Sequence, residues 1–240
     1  MFVNLNDLLI PNADGPPQPL LDPRASAADG LTQVFFRNLE SELLSRIDAA
    51  DVVVGCVAWL TNKSILASLA RKRSVAIVVQ KEDFLRPDLG AGRNSSNDLR
   101  SQYDALRCSF DRYDQALSGT VLHFMSMCGD PSIDPIRCVG NHNSDKQPAF
   151  PRAHHKFLVF GRAVESPDSN EECNSFQPYG AWTGSFNLTF NATNSFENAI
   201  ATEDPALVRA FFTEWAQLEA LSEPLDWSSK WVAPEWRIGT

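Results

Sequence analysis

The chain has 240 residues, with 21 basic and 30 acidic side chains and a formal net charge of −9. Apolar residues make up 43% and charged residues 21%, which is ordinary for a globular protein and excludes wholesale disorder, a collagen-like fibre or a disulfide-stapled miniprotein. No apolar run approaches the roughly 20 residues that cross a bilayer, and the N-terminus lacks the pattern of a secretory signal. The acidic balance argues against nucleic-acid binding over the whole surface, although it is compatible with a local basic site.

The cysteines are scattered and odd in number: Cys56, Cys108, Cys128, Cys138 and Cys173. Cys128 and Cys138, with His142 nearby, could be interpreted as part of a zinc site. A CxxC pair and a fourth ligand are missing, so the favoured interpretation is unpaired thiols in a reducing compartment. The sequence therefore predicts a cytoplasmic protein with no metal and no cofactor.

Composition and periodicity divide the chain into three segments. Residues 1–28, rich in Pro, Asn and Asp, are expected to form an N-terminal arm. Residues 29–221 carry patterned helices and strands and are expected to form the folded domain. Residues 222–240 form a tail that contains Trp227, Trp231 and Trp236, predicted to lie at the edge of the core or in an oligomer contact.

The first half of the domain is patterned as helix, strand, helix, strand. Apolar residues at helical spacing predict a helix from Asp29 to Ala50. The run VVVGCVAWL predicts a buried strand over 52–60, followed by a helix over 63–71 and a second buried strand over 75–80. This β-α-β order indicates a central sheet with helices packed on it.

The second half is more irregular before it becomes patterned again. A loop over 81–100, a helix over 99–110, a strand over 120–125 and a loop over 128–151 are expected. A strand over 152–160 follows, and then an acidic loop. The last helix is predicted over 205–221, with an apolar stripe formed by Leu207, Phe211, Phe212, Trp215 and Leu218.

The segment His154-His155-Lys156 carries the strongest chemical signal in the chain. Along a strand alternate side chains share a face, so His154 and Lys156 are expected on one face and His155 on the other. An imidazole beside an ammonium is a poor structural pair, but it makes sense if an anion binds between them. Lysine binds phosphate as a point charge, and a neutral imidazole can attack phosphorus.

A second polar group follows in the run WTGSFNLT and continues to ENAIA. Ser185 and Asn187 are two residues apart and offer a hydroxyl and an amide to phosphate oxygens, while Gly184 allows close backbone approach. Glu197 opens the next strand, where it could orient a histidine. Taken singly these residues would be unremarkable polar strand ends, but the ordered set indicates a site.

The segments HHKFLVF, WTGSFNLT and NSFENAIA resemble the phospholipase D superfamily, whose signature is H-x-K followed by a G-S-x-N element. The resemblance is nearest to compact single-motif members of the bacterial endonuclease and cardiolipin hydrolase types. It implies a phospholipase D-like α-β-α sandwich with a central mixed β-sheet flanked by helices, and it makes residues 29–221 the catalytic domain. The superfamily motif ends with an aspartate, which mainly supports the local structure, at the position that Gly161 occupies here. The acidic loop after Gly161 is also longer than in compact members.

The resemblance implies a mechanism that needs two H-x-K sets, whereas this chain has one. We therefore expect a homodimer in which each subunit provides His154, Lys156, Ser185 and Asn187. One His154 would form a phosphohistidine and the other would act as acid and base. Glu197 would orient the imidazole, and no metal would be needed.

The substrate predicted first is a nucleic acid, DNA more readily than RNA. The aromatic residues near the motifs, Phe157, Trp182 and Phe186, could contact nucleotides, and Trp182 is therefore a predicted substrate-binding residue. A phospholipid-cleaving phosphodiesterase and a catalytically weakened nucleic-acid-binding protein are the two alternatives.

Overall fold

A computed structural model of the protein describes residues 3–85, 94–108, 134–142, 151–164 and 175–233. The predicted strand over 120–125, the loop over 128–151 for the most part, and the acidic loop after Val164 lie outside the described residues. So do Cys128, Cys173 and Trp236.

The described chain contains ten strands and five α-helices, and eight of the strands form one sheet. Two strands form a separate small hairpin, β1 (Leu9–Ile10) and β2 (Gln18–Pro19). The eight others are β3 (Ala25–Ser26), β4 (Thr32–Phe35), β5 (Val52–Val57), β6 (Ser74–Gln80), β7 (Ile136–Val139), β8 (Lys156–Val164), β9 (Ser175–Gly184) and β10 (Ala199–Thr202). The helices are α1 (Leu39–Ala49), α2 (Lys63–Leu69), α3 (Asn94–Asp104), α4 (Phe190–Thr193) and α5 (Pro205–Ala220).

The large sheet is mixed and has the strand order β3-β4-β10-β9-β8-β5-β6-β7. Strands β5, β6 and β7 are parallel to one another, whereas β8 runs antiparallel to β5, and the pairings from β8 to β3 are antiparallel. Every residue of β5 and β6 is buried, as expected for strands covered on both faces.

Helices cover both faces of this sheet. Apolar residues of α1, α2 and α3 belong to one buried cluster, and those of α5 belong to a second cluster on the opposite face. The predicted fold class, an α-β-α sandwich around a central mixed sheet, is confirmed. Among the described residues, no helix is long and apolar enough to cross a membrane.

The helix predicted from Asp29 to Ala50 is wrong in its first half. Residues Thr32–Phe35 form β4, which pairs with β10, and α1 begins only at Leu39. Asp29 accepts a hydrogen bond from the backbone N of Leu31 in a turn and does not cap the helix. Asn38, in a left-handed conformation with φ 56°, separates the strand from the helix.

Three other sequence predictions also need correction. The loop expected over 81–100 and the helix expected over 99–110 are replaced in part by α3, which begins at Asn94 and ends at Asp104. The loop expected over 128–151 contains β7, which is buried and pairs with β6. The buried stripe of α5 consists of Val208, Phe212, Trp215 and Ala216, and Leu207 is 47% exposed. The stripe is shifted because α5 packs across β5, β8 and β9 with its Val208 side, so the neighbouring Leu207 faces solvent.

The start of the C-terminal segment packs on the sheet. The buried Lys81 ammonium, at the end of β6, lies 2.5 Å from the carboxylate of Glu223 and donates to the carbonyl of Trp231 at 2.6 Å. Trp227 is 3% exposed and lies against His142, whereas Trp231 is 62% exposed. Of the two tail tryptophans that the structure describes, one is therefore part of the core and the other is on the surface.

Candidate active site

One edge of the sheet collects the ends of several strands that carry polar residues. Parallel β5 and β6 finish there at Val57 and Gln80, and antiparallel β8 starts there at Lys156. β9 finishes at the same edge with Gly184, opposite the first residue of β10. The H-x-K and G-S-x-N motifs therefore meet although about 30 residues separate them in the sequence.

His154 and Lys156 are in direct contact at this edge. The Lys156 Nζ lies 3.2 Å from Nδ1 and 3.3 Å from Nε2 of the His154 imidazole, and it donates to the His154 carbonyl at 3.1 Å. Burial, together with the nearby charges of Lys156 and Arg152, lowers the pKa of His154 below its ordinary value. The lowered pKa favours the uncharged imidazole, which carries the lone pair that a nucleophile requires.

His155 lies on the opposite side of the chain. Its Nε2 is 3.4 Å from a carboxylate oxygen of Glu214 on α5, and its ring packs edge-on against Phe157. The two adjacent histidines thus point to different faces of the sheet, as the alternation of an extended chain requires. His154 itself precedes β8, because regular pairing begins at Lys156.

The segment before Lys156 is fixed by a buried amide on β6. Gln80 is fully buried, and its side-chain oxygen accepts from the backbone N of Ala153 at 2.7 Å. Its side-chain nitrogen donates to the carbonyl of Asn141 at 2.6 Å, in the loop that follows β7. The backbone immediately before His154 is therefore held by a residue that the sequence analysis did not identify.

Trp59 contacts His154, and it is linked through Glu82 to Arg152. Trp59 meets the imidazole edge-on, with ring centroids 6.4 Å apart, and its indole nitrogen donates to Glu82 at 3.2 Å. The same Glu82 oxygen lies 3.8 Å from the Arg152 guanidinium. Trp59, Glu82 and Arg152 come from three separate segments of the chain. The sequence offers one signal for their presence in the site: Trp59 and Glu82 follow buried strands, and Arg152 precedes the H-x-K motif.

Ser185 and Glu197 form the other side of the site. The Ser185 hydroxyl donates a short hydrogen bond to the Glu197 carboxylate and accepts one from the backbone N of Asn198 at 3.0 Å. Burial lowers the pKa of Lys156, and the charge of Glu197 opposes that effect. In the described part of the chain, Glu197 is hydrogen-bonded to Ser185 and not to His154, so within one subunit it supports Lys156 electrostatically.

Asn187 is held next to the loop that follows β5. Its neighbour Leu188 forms a parallel bridge with Leu60, and the Leu188 carbonyl accepts from the backbone N atoms of Thr61 and Asn62. The Asn187 side-chain oxygen is buried without a hydrogen-bond partner among the described residues. Since the oxygen and nitrogen of a carboxamide are assigned only from their partners, either orientation leaves this amide with unused capacity for a bound group.

The predicted contact between Trp182 and substrate is wrong. Trp182 is 1% exposed and stacks on Phe35 at a centroid distance of 5.8 Å, under the Arg46 guanidinium of α1. Phe157 and Phe186 are also buried, with 2% and 1% exposure. These aromatic residues belong to the core, because helices cover both faces of the strands that carry them. The exposed aromatic residues of this region are Phe190 and Phe196.

Gly161 lies on β8 at the end of the strand away from Lys156. A Cβ atom there would lie 2.6 Å from two carbons of the Phe176 ring, which packs across the strand from β9. The ring therefore occupies the space that a side chain at this position would need. The backbone is fixed by Asp51, whose N–H donates to the Gly161 carbonyl at 3.0 Å and whose carboxylate accepts from the backbone N of Ala163 at 3.2 Å.

Within the described residues, no group of three or more His, Cys, Asp or Glu side chains is arranged to hold a metal ion. Cys56 and Cys138 are free thiols, and burial raises the pKa of Cys56 to about 12. The Cys138 sulfur donates to the carbonyl of Pro224 at 3.2 Å, so it takes part in packing the C-terminal segment.

Comparisons with known proteins place the chain among relatives and fold neighbours. It is 30% identical over 237 residues to the uncharacterized protein L381 of Acanthamoeba polyphaga mimivirus, covering 95% of this chain and 75% of L381. No family model matches the sequence. Among solved structures it is similar to the phospholipase D family member Nuc from Salmonella typhimurium, with a TM-score of 0.45, 20% identity, and coverage of 80% of this chain and 95% of Nuc. It is likewise similar to NucT from Helicobacter pylori, with a TM-score of 0.45, 13% identity, and coverage of 78% and 94%.

Proposed function

We propose that this protein, which belongs to the same family as mimivirus protein L381, is a phosphodiesterase of the phospholipase D type that cleaves nucleic acid. The observation that carries the proposal is the contact between the His154 imidazole, whose pKa is lowered, and Lys156 at a sheet edge. The Ser185–Glu197 pair and the Asn187 amide stand beside them in the order of the superfamily signature. The proposal rests on these side chains.

The first step is attack by His154 on the phosphorus of a bound diester. The imidazole lone pair forms the N–P bond while the bond from phosphorus to the leaving oxygen breaks, which gives a phosphohistidine. Lys156 and Asn187 bind the non-bridging oxygens, where negative charge increases during the reaction, and Ser185 holds the Glu197 carboxylate through its hydroxyl. Glu197 keeps Lys156 charged despite its partial burial. This scheme uses no metal.

The leaving oxygen needs a proton, and the proposed source is a second imidazole on the opposite side of phosphorus. The chain contains one H-x-K set, so we infer a two-fold homodimer in which the partner subunit's His154 is this acid. The negative charge of the bound diester offsets the effect of the surrounding cations, which allows this imidazole to hold a proton. It then takes a proton from water, the water oxygen bonds to phosphorus, the N–P bond breaks and His154 is released.

DNA is the preferred substrate in this proposal, ahead of RNA. The acidic chain presents local cations at the site, Lys156 and Arg152, and the exposed ring of Phe196 nearby. A backbone phosphate bound by such a group of cations, with bases against aromatic rings, is the usual arrangement in single-strand binding. Residues 29–221 are proposed as the catalytic domain.

The experiment that tests this function is cleavage of labelled single-stranded DNA, duplex DNA, RNA and phospholipid vesicles, each in EDTA. We expect cleavage of nucleic acid that persists in EDTA and a labelled phosphohistidine trapped by acid quenching. Cleavage of vesicle lipid alone would replace the nuclease with a lipid phosphodiesterase. Binding of DNA without cleavage of any substrate would favour the catalytically weakened alternative, and strict dependence on magnesium would contradict the phosphohistidine scheme.

A further inference from the structure

The exposed ring of Phe196 lies directly before Glu197 and contacts an arginine from the segment between β4 and α1. The Arg37 guanidinium carbon is 5.4 Å from the centre of the Phe196 ring, and Phe196 is 52% exposed. β10 and β4 are antiparallel, with Ala199 opposite Phe35. The segment that leads into β10 and the segment that follows β4 therefore lie at the same sheet edge, which is the edge of the site.

Arg37 has unused binding capacity. One terminal nitrogen donates to the Phe36 carbonyl at 2.7 Å, while Nε is buried without a hydrogen-bond partner. Within the described residues no carboxylate forms an ion pair with Arg37, although the chain as a whole carries a net charge of −9. An arginine stacked on an aromatic ring, with donors left over, binds phosphate as a planar fork.

Space for a ligand lies beside this pair. A cavity of about 410 Å³ is lined by Arg37 and by short polar side chains, among them Asn4, Asn6, Thr193 and Ser195. Asn6 joins two walls of the cavity, because its side-chain amide donates to the carbonyls of Thr193 and Ser195 at 3.3 and 3.2 Å. Such amide and hydroxyl groups can bind sugar and base edges without a charge requirement.

Three carboxylates also line this cavity, and two of them already have an ion-pair or hydrogen-bond partner in the protein. Asp22 is paired with Arg24 at 3.0 Å, and Glu40 accepts from the Asn62 amide at 2.9 Å. Asp7 is the third. The negative charges of these acids would repel several phosphates in the cavity. The ligand that suits the cavity therefore has a single phosphate at Arg37 and an uncharged base or sugar beyond it.

We propose that Arg37 and Phe196 form a subsite that binds an unpaired nucleotide of a single-stranded substrate, with the base on the free face of Phe196 and a phosphate at Arg37. This inference rests on the proposed nuclease function and deepens it. β4 and β8 are three strand spacings apart, about 14 Å at the usual separation of neighbouring strands. At a stacked rise of about 3.4 Å that distance corresponds to about four nucleotides, and to fewer in an extended strand. The subsite therefore binds the strand several nucleotides from the bond that is cleaved.

A duplex does not fit this arrangement, because its bases are stacked on one another and not available to Phe196. Base-on-aromatic stacking depends little on sequence, since every base has a flat face. The subsite thus predicts a preference for single strands over duplexes and little preference among bases.

The experiment compares two substrates and a set of matched variants. Bis(p-nitrophenyl) phosphate reaches only the phosphate site, whereas a labelled single-stranded DNA oligonucleotide also reaches the subsite. Phe196→Leu and Arg37→Gln are expected to raise KM for the oligonucleotide about tenfold and to leave kcat and the small diester unchanged. Phe196→Tyr keeps the stacking face and should behave like the wild type.

Two controls separate this subsite from general effects. Phe190→Leu removes another exposed phenylalanine of the same region, and Arg209→Gln removes an exposed arginine on α5, which begins at the opposite edge of the sheet. Both should leave KM unchanged. Thermal unfolding of every variant establishes that the fold is intact.

The outcomes are distinguishable from failure of the nuclease proposal. If the wild type cleaves the oligonucleotide but Phe196→Leu and Arg37→Gln have wild-type KM, the subsite is refuted. It is also refuted if the two control variants raise KM as much as these two variants do. If the wild type cleaves nothing, the nuclease proposal fails, and fluorescence anisotropy with the same oligonucleotide decides the subsite by whether both variants weaken binding about tenfold. If Phe196→Leu instead reduces binding only to anionic phospholipid vesicles, the surface binds lipid and the nucleotide subsite is wrong.

Discussion

Restoring the aspartate of the superfamily motif at Gly161 should destabilise this protein and should not activate it. The reason is the Phe176 ring, from which a Cβ at residue 161 would be only 2.6 Å away at two carbons. Carbon atoms in contact lie about 3.5–4.0 Å apart, and the ring carbon Cε2 would be closer to the Cβ than these two, so the ring or the strand must move by more than about 1.5 Å. Phe176 is 8% exposed and packs on Phe212 at 5.4 Å, which leaves the ring little room to move.

The expected magnitude follows from the two parts of the substitution. Gly161→Ala adds only the Cβ, and forcing an extra carbon into a packed core costs about 1–3 kcal/mol. In a chain of this size that loss lowers the melting temperature by about 2–4 °C per kcal/mol. Gly161→Asp adds a carboxylate in a buried position, so its cost should be larger, on the order of 3–5 kcal/mol.

Activity should be almost unaffected below the melting temperature. Gly161 is five residues from Lys156 along β8, which is about 17 Å at the usual rise per strand residue. The backbone around Gly161 is supported by Phe176 and by Asp51, which bonds to the backbone on both sides of Arg162.

The assay is thermal unfolding followed by circular dichroism, together with a double-mutant cycle. Phe176→Ala alone should cost about 3–5 kcal/mol, but in that background Gly161→Ala should lose most of its own penalty. Unchanged melting temperatures for Gly161→Ala and Gly161→Asp would refute the packing argument. A large gain of cleavage by Gly161→Asp would refute the conclusion that this position is remote from the chemistry.

Three further results are expected from the site and the core. His154→Ala should lower the cleavage rate by several orders of magnitude. His155→Ala should lower the cleavage rate tenfold or less and should cost about 1 kcal/mol of stability. The reverse ranking in cleavage assays would show that the wrong histidine is assigned as the nucleophile. Burial and nearby cations lower the pKa of His154, and its neutral form is the nucleophile, so cleavage falls as the pH drops through that pKa. Arg152→Gln removes one of these cations, so the acidic limb of kcat/KM and the NMR titration of His154 should both move to higher pH, and a shift to lower pH would contradict this. Lys81→Met leaves the Glu223 carboxylate buried and unpaired, which should cost about 3–5 kcal/mol in denaturant unfolding, while the double replacement with Glu223→Met should recover most of it.

The sequence predicts the central strands well because both of their faces are buried. β5 and β6 are continuous apolar runs, and such a pattern fits little else at that length. The segment that includes β4 is ambiguous by comparison, since adjacent Val34 and Phe35 fit either a strand or the start of a helix. Its structure is decided by pairing with β10, which lies more than 160 residues away in the chain.

In the site, too, contacts between residues close in the sequence can be predicted, whereas contacts between residues far apart in the sequence cannot. The contact between His154 and Lys156 follows from their spacing of two, which the sequence displays directly. The burial of Trp182 could not be predicted from the sequence. Alternation along β9 shows which residues share a face, but it does not show which face α1 covers. Trp59 is similarly unpredictable, since it reaches His154 only through the pairing of β5 with β8.

The position of His154 depends on contacts between residues of three neighbouring segments, at the ends of β6 and β7 and before β8. Gln80 on β6 holds both Ala153, directly before His154, and the loop after β7. Gly140 at that loop has φ +97°, and a Cβ there would clash with the Gln80 amide and lie 3.0 Å from the backbone N of Ala153. A glycine is therefore required for Gln80 to reach Ala153, because other residues disfavour this backbone conformation and would fill the space. A buried amide on one strand and a glycine after another thus fix the backbone from which the proposed nucleophile extends.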